Sequence, residues 1–92
     1  MSDIRNDYYI AVGGEIVAQI EFIIHENEAL EDKGIVISRT LVADHYRGQG
    51  IGKALIDRVV IHARSQNKYI RSICPFAKMI LENDKHYQDV LQ

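Results

Sequence analysis

The chain has 92 residues, enough for one compact domain and too few for two. Apolar residues make up 47% of it, which supports a packed core and excludes a disordered chain. Lys and Arg number 11 and Asp and Glu 13, a net charge of −2, so the strongly basic balance of a nucleic-acid-binding domain is lacking.

Cys74 is the one cysteine, so no internal disulfide forms. His25, His45, His62 and His86 are scattered without ligand spacing, and no metal site is expected. Residues 1–7 lack an apolar signal core and no run reaches membrane-spanning length. The expected setting is therefore reducing and cytoplasmic, with no membrane or nucleic-acid partner, as a monomer or weak dimer.

In chain order, residues 8–12 read as a short strand, and Gly13-Gly14 supplies the positive backbone angles of a tight hairpin. From Ile16 the pattern alternates, with Ile16, Ala18, Ile20, Phe22 and Ile24 on one face. Gln19, Glu21 and His25 fall on the other, relieved by Val17 and Ile23. Residues 25–33 are charged and turn the chain. Residues 34–43 are rich in β-branched side chains and read as a third strand.

Residues 44–50 are turn-like, and from about Ile51 the period becomes helical. Ile51, Leu55, Val59 and Ala63 step by four, flanked by Ile56 and Val60, and the helix should end near Gln66-Asn67. Residues 69–73 read as a fourth strand. Pro75 suits the first turn of a second helix marked by Phe76, Met79, Ile80 and Asn83. The order predicts an α+β fold, a mixed sheet of three antiparallel strands followed by a right-handed β-α-β-α unit that makes the last strand pair parallel.

One segment between strand and helix carries chemistry: Arg47-Gly48-Gln49-Gly50-Ile51-Gly52, followed by Lys53. N–H groups opening a helix are unsatisfied and sit at the positive end of its dipole. Glycines let such a backbone bend and approach an anion closely, and a pyrophosphate is the natural guest. Arg47 and Lys53 would add full charges. A dinucleotide fingerprint beginning at Gly48 would need glycine where Lys53 stands. A Walker loop would need glycine at Arg47 and Ser or Thr at Ala54. A plain glycine-rich helix cap is the alternative.

Arg-x-x-Gly-x-Gly, met by Arg47, Gly50 and Gly52, resembles the coenzyme A signature of the GNAT superfamily of N-acetyltransferases. Cys74-Pro75-Phe76-Ala77 and the Tyr87-Gln88-Asp89 tail resemble a small subgroup of it, marked by a Cys-(Pro/Ser)-Phe-Ala stretch. The resemblance implies a single GNAT-like domain over residues 1–92 whose two parallel strands splay apart. It implies acetyl-CoA as cofactor, with pyrophosphate on the N–H groups of Gly48, Gln49, Gly50, Ile51, Gly52 and Lys53. It also implies a pantetheine arm lying beside the backbone of Leu41 and Val42 as an added strand, and an amine acceptor as partner.

Cys74, closing the last strand, is the candidate catalytic residue. As a thiolate at the head of a helix it would accept the acetyl group; the other reading is an inert, packed thiol. The subgroup carries a His-Thr pair where this chain has Arg39-Thr40, and Arg39 would stabilise a Cys74 thiolate without taking a proton. His86 and Tyr87 are substitute bases by residue type, against a reading as tail residues. Glu21 is an acid on a polar strand face. Two functions stand open, an acetyltransferase acting on a primary amine and a coenzyme A-binding module or slow thioesterase. A structural domain without ligand would leave the glycine-rich helix start unexplained.

Overall fold

The computed structural model describes residues 3–25 and 34–91, and the charged segment expected to turn the chain lies almost entirely outside them. Strand β1 (Asp3–Val12) runs antiparallel to β2 (Glu15–His25), which runs antiparallel to β3 (Gly34–Val42). Helix α1 (Ile51–Ser65) then crosses over to β4 (Tyr69–Ser72), parallel to β3, and α2 (Pro75–Asn83) follows. The sheet order is β1-β2-β3-β4, with single 3-10 turns at Asp44–Tyr46 and Lys85–Tyr87. The expected α+β class, mixed sheet and parallel last pair are all present. The hairpin is made by Gly13 and Gly14 at φ +59° and +84°.

One apolar cluster joins the sheet to the helices. It takes Ala18, Ile20, Phe22 and Ile24 from β2, Ile35 and Ile37 from β3, and Ile70 from β4. Leu55, Ile56, Val59, Val60 and Ala63 of α1 complete it, the four-residue step read in the sequence, with Ala77 and Leu81 of α2. The other sheet face is open to solvent at Tyr9, Arg39 and Leu41.

β1 begins earlier than residue 8, because its first half is held by pairing with β2 rather than by its own apolar pattern. Ile16, expected on the core face, is 57% exposed. Ile10 opposes Ala18 while Ala11 opposes Ile16, so Val17 is an extra residue on β2. Such a bulge shifts the alternation by one place and turns Ile16 to the outer face.

The C-terminal segment is fastened to this frame. Ile70 N–H donates to the Val90 carbonyl at 2.6 Å, and Leu91 forms a parallel bridge with Ile70. Arg64 of α1 grips Asp89 through Nε at 2.9 Å and Nη2 at 2.8 Å. Tyr87 is buried, and its hydroxyl donates to Asp57.

Candidate active site

β3 and β4 pair from Gly34–Tyr69 to Ile37–Ser72, and Ile73 N–H donates to the Ile37 carbonyl at 3.0 Å. Beyond that point they part. On β3, Glu21 opposes Arg39 and Phe22 opposes Ile37, leaving Ser38 as an extra residue whose hydroxyl donates to the Glu21 carbonyl at 3.1 Å. The bulge bends β3. On the other side, Ser72 Oγ donates to the Cys74 carbonyl at 2.8 Å and accepts from Cys74 N–H at 3.1 Å, turning the chain into α2.

Hydrogen-bond alternation decides which main-chain groups face this gap. Ala43 N–H donates to the Val17 carbonyl at 2.8 Å and Leu41 opposes Gln19, so residues 41 and 43 turn towards β2. Thr40 and Val42 turn theirs into the gap, and the Val42 carbonyl accepts from Arg47 Nε at 3.2 Å. The groups available to an added strand are therefore those of Thr40 and Val42, with Leu41 between them facing β2.

The gap continues into a groove of about 600 Å³ floored by Thr40, Val42 and Phe76 and ending at Gly48, Gly50, Gly52 and Lys53. Gly48 and Gly50 hold φ of +80° and +77°, conformations that favour glycine. Gly50 is the N-cap of α1, and its carbonyl takes the first helical bond, from Ala54 N–H at 3.0 Å. No side chain caps this helix. Its opening N–H groups are left for an anion, with the dipole behind them.

The charged residues at this end are committed elsewhere. Arg47 is exposed and 3.4 Å from Asp44. Lys53 Nζ donates to the Tyr87 hydroxyl at 3.0 Å and lies 3.6 Å from Asp84 and 3.9 Å from Asp57. That Tyr87 contact, more than the two carboxylates, raises the Lys53 amine above its ordinary value. Gln49 bonds the His45 carbonyl at 3.2 Å and lines no part of the groove.

Cys74 stands at the apex of the gap as the N-cap of α2, 8% exposed. Its thiol donates to Thr40 Oγ1 at 3.6 Å. Burial pushes the thiol up, but the main chain of Ala77 and Phe76, the Thr40 hydroxyl and the Thr40 main chain outweigh it and hold it below its ordinary value. No capping hydrogen bond of standard geometry reaches Sγ from the helix.

Arg39 does not join Cys74. The Ser38 bulge puts it opposite Glu21 on the outer face and turns Thr40, opposite the core residue Ile20, inward. The outer face holds a second groove of about 570 Å³, lined by Arg5, Asp7, Gln19, Glu21, Arg39 and, beside the break, Ser38 and Ile73. Asp7 and Glu21 stand directly opposite, and Asp7 accepts from Gln19 Nε2 at 2.6 Å. Of the substitute bases, Tyr87 is locked against Asp57 and Lys53, and exposed His86 lies beyond the groove. Tyr46 and Ile80 line the groove without having been singled out as site residues in the sequence; Thr40 had its place beside Arg39 and Phe76 its place two residues after Cys74 to mark them.

Comparison with known proteins identifies the family to which this mixed sheet and uncapped helix start belong. Residues 7–90 match the family described as GCN5-related N-acetyl-transferase, and the chain belongs to that family. Its domain is of the N-acetyltransferase class.

The chain is similar to the solution structure of a GCN5-like candidate N-acetyltransferase from Staphylococcus aureus. The two share 39% identity at a TM-score of 0.75, over 95% of this chain and 81% of that one. It shares its fold with a ribosomal-protein-alanine N-acetyltransferase from Brucella melitensis biovar Abortus 2308, at 20% identity and TM-score 0.68. That match covers 85% of this chain and 61% of the other. An aminoglycoside N-acetyltransferase in complex with CoA matches at 12% identity and TM-score 0.60, over 83% and 63%. No curated protein matches the chain. No helix of the described residues is long and apolar enough to cross a membrane, and those residues contain no cluster of metal-ligating side chains.

Proposed function

We propose that the chain binds acetyl-CoA in the helix-side groove and transfers the acetyl group to a primary amine arriving from the outer face. The observation that carries this is the continuity of the β3–β4 gap with the uncapped start of α1. The pyrophosphate would sit on the N–H groups of residues 48–53, where Gly48 and Gly50 keep side chains out of the way. The pantetheine would pair with the gap-facing groups of Thr40 and Val42 along the Leu41–Val42 segment, as an added strand. Arg47 and Lys53 would contribute charge once released from Asp44 and from the Tyr87 cluster.

Cys74, in a stretch like that of the Cys-(Pro/Ser)-Phe-Ala subgroup, is the proposed acetyl acceptor within the chain. Its thiolate adds to the acetyl carbonyl, the coenzyme's carbon–sulfur bond breaks, and coenzyme A leaves as a thiolate. An amine that has lost its ammonium proton to solvent then adds to the S-acetyl carbonyl, the Cys74 carbon–sulfur bond breaks, Cys74 leaves as a thiolate and the amide nitrogen gives its surplus proton to solvent. The outer groove, with Glu21 and Asp7 near the break, suits an acceptor that arrives as an ammonium ion.

A second reading, a coenzyme A-binding module with little amine transfer, is favoured by one feature: Thr40 and Phe76 line the groove while Cys74 is buried behind them. Amide signals followed during coenzyme A titration test the binding, and those of residues 48–53 should move most. Incubation with acetyl-CoA and an amine panel tests transfer. Amine-dependent thiol release that disappears in Gly50→Glu supports the enzyme; binding without amine-dependent release supports the module.

A further inference from the structure

Thr40 is the residue that reaches both the groove and the sulfur. Its side chain lines the groove beside Val42 and Phe76, and its Oγ1 lies 3.6 Å from Cys74 Sγ across the gap. This is unusual company for a reactive thiol, because among the described residues the hydrogen bonds acting on it come from Thr40, Phe76 and Ala77 and none from a charged side chain. On β3, Arg39 is turned to the outer face by the Ser38 bulge. On α1, Lys53 and Asp57 are bound up with Tyr87, and on α2 Lys78 is exposed; Arg71 of β4 is exposed as well.

We infer that Thr40 is the positioning residue of this site: its hydroxyl fixes the Cys74 sulfur at the inner end of the groove and turns its proton to the sulfur when the thiol ionises. The inference rests on the reading of Cys74 as acetyl acceptor, and it assigns the work of a histidine or arginine partner to a neutral hydroxyl and a helix start. In the thiol form the S–H donates to Oγ1. In the thiolate form the Thr40 hydroxyl donates instead, so one side chain serves both states without moving. A hydroxyl cannot act as a base at neutral pH, so the thiol's proton leaves to solvent and the ionised sulfur is the species Thr40 holds.

Because Cys74 is the chain's one cysteine, thiolate absorbance in the far ultraviolet, taken as a difference from Cys74→Ser, reports its ionisation alone. Titration without coenzyme A should give a midpoint below that of an ordinary thiol. Thr40→Val should raise the midpoint, and each rise of one cuts the thiolate at a fixed pH about tenfold. Thr40→Ala, which removes the same hydroxyl with less bulk, should agree, and Thr40→Ser should restore the original midpoint. Iodoacetamide labelling at neutral pH should slow in the first two variants and recover in the third.

An unchanged midpoint in both hydroxyl-free variants, or a serine variant that behaves like valine, overturns the inference. Since these titrations need no coenzyme, a protein that shows the Thr40 effect yet acetylates no amine refutes the proposed activity and leaves this relationship standing.

Discussion

The ring of Phe76 rests against the α-carbon of Gly52: a Cβ at Gly52 would stand 2.8 Å from ring atoms Cε2 and Cζ and 3.6 Å from Val42 Cγ2. Gly52 lies inside α1 at an ordinary helical conformation, where glycine costs roughly 0.5–1 kcal/mol relative to alanine. The missing side chain therefore answers to packing. It lets the two helices close on one another at the point where the groove meets the anion-binding turn.

Gly52→Ala should accordingly destabilise the protein by about 1–3 kcal/mol, the usual cost of forcing an extra carbon into a packed contact. In a Phe76→Ala background the sign should reverse, because the ring is gone and alanine is the better helix former. Denaturant unfolding of the four proteins measures this coupling. Additive effects would mean that the ring and Gly52 do not meet.

Gly50 behaves differently. A Cβ there would meet nothing within 4 Å, so the cost of substitution is backbone strain at φ +77° alone. Gly50→Ala should lose about 1–2 kcal/mol and Gly50→Asn less, since asparagine tolerates the left-handed region. Both should weaken coenzyme A binding by disturbing the helix start, as isothermal titration would show. An alanine variant as stable as the parent would refute the strained cap.

Arg39→Ala should leave the Cys74 midpoint where it is, because Arg39 faces the outer groove. Its effect, and that of Glu21→Gln, should fall on the KM for the amine with coenzyme A affinity preserved. Steady-state kinetics against both substrates would expose a mistaken side assignment as a shift in the coenzyme KM instead.

The C-terminal fastening predicts a pH dependence. Asp89 is held below its ordinary value of 3.8 by the Arg64 hydrogen bond, and Asp84 by the His86 N–H. A depressed carboxylate contributes stability above its unfolded value, and loses it as the pH falls through its lowered folded value. Stability should thus decline with acid below about pH 4, and more gently in Asp89→Asn. Asp89 is exposed and Asp84 half-buried, so added salt should weaken the effect, most at Asp89. Tyr87→Phe, which removes the hydroxyl that donates to half-buried Asp57, should lower stability by about 1 kcal/mol at neutral pH. Thermal melts across pH and salt separate these contributions.

Much of the fold was legible because strong periods decide it. The step from Ile51 to Ala63 marked α1 almost to the residue, and Pro75 marked the start of α2. The glycine turn was legible too, since positive φ at Gly48 and Gly50 needs that residue type. Both bulges were hidden. An extra residue at Val17 or Ser38 leaves no mark in the alternation until a partner strand supplies the register, so Ile16 was set on the wrong face and Arg39 was read as a partner of Cys74. The commitment of Lys53 to Tyr87 was equally out of reach, because those residues lie 34 positions apart and meet only when the tail docks on α1.

Ser38 acts as a phase shifter. Were Ser38 instead drawn into the ladder opposite Glu21, every later side chain of β3 would change faces. The guanidinium of Arg39 would then oppose Ile20 and point towards the helices while the hydroxyl of Thr40 looked outward. A slip of one place that alters no covalent bond would invert the chemistry of both openings at once.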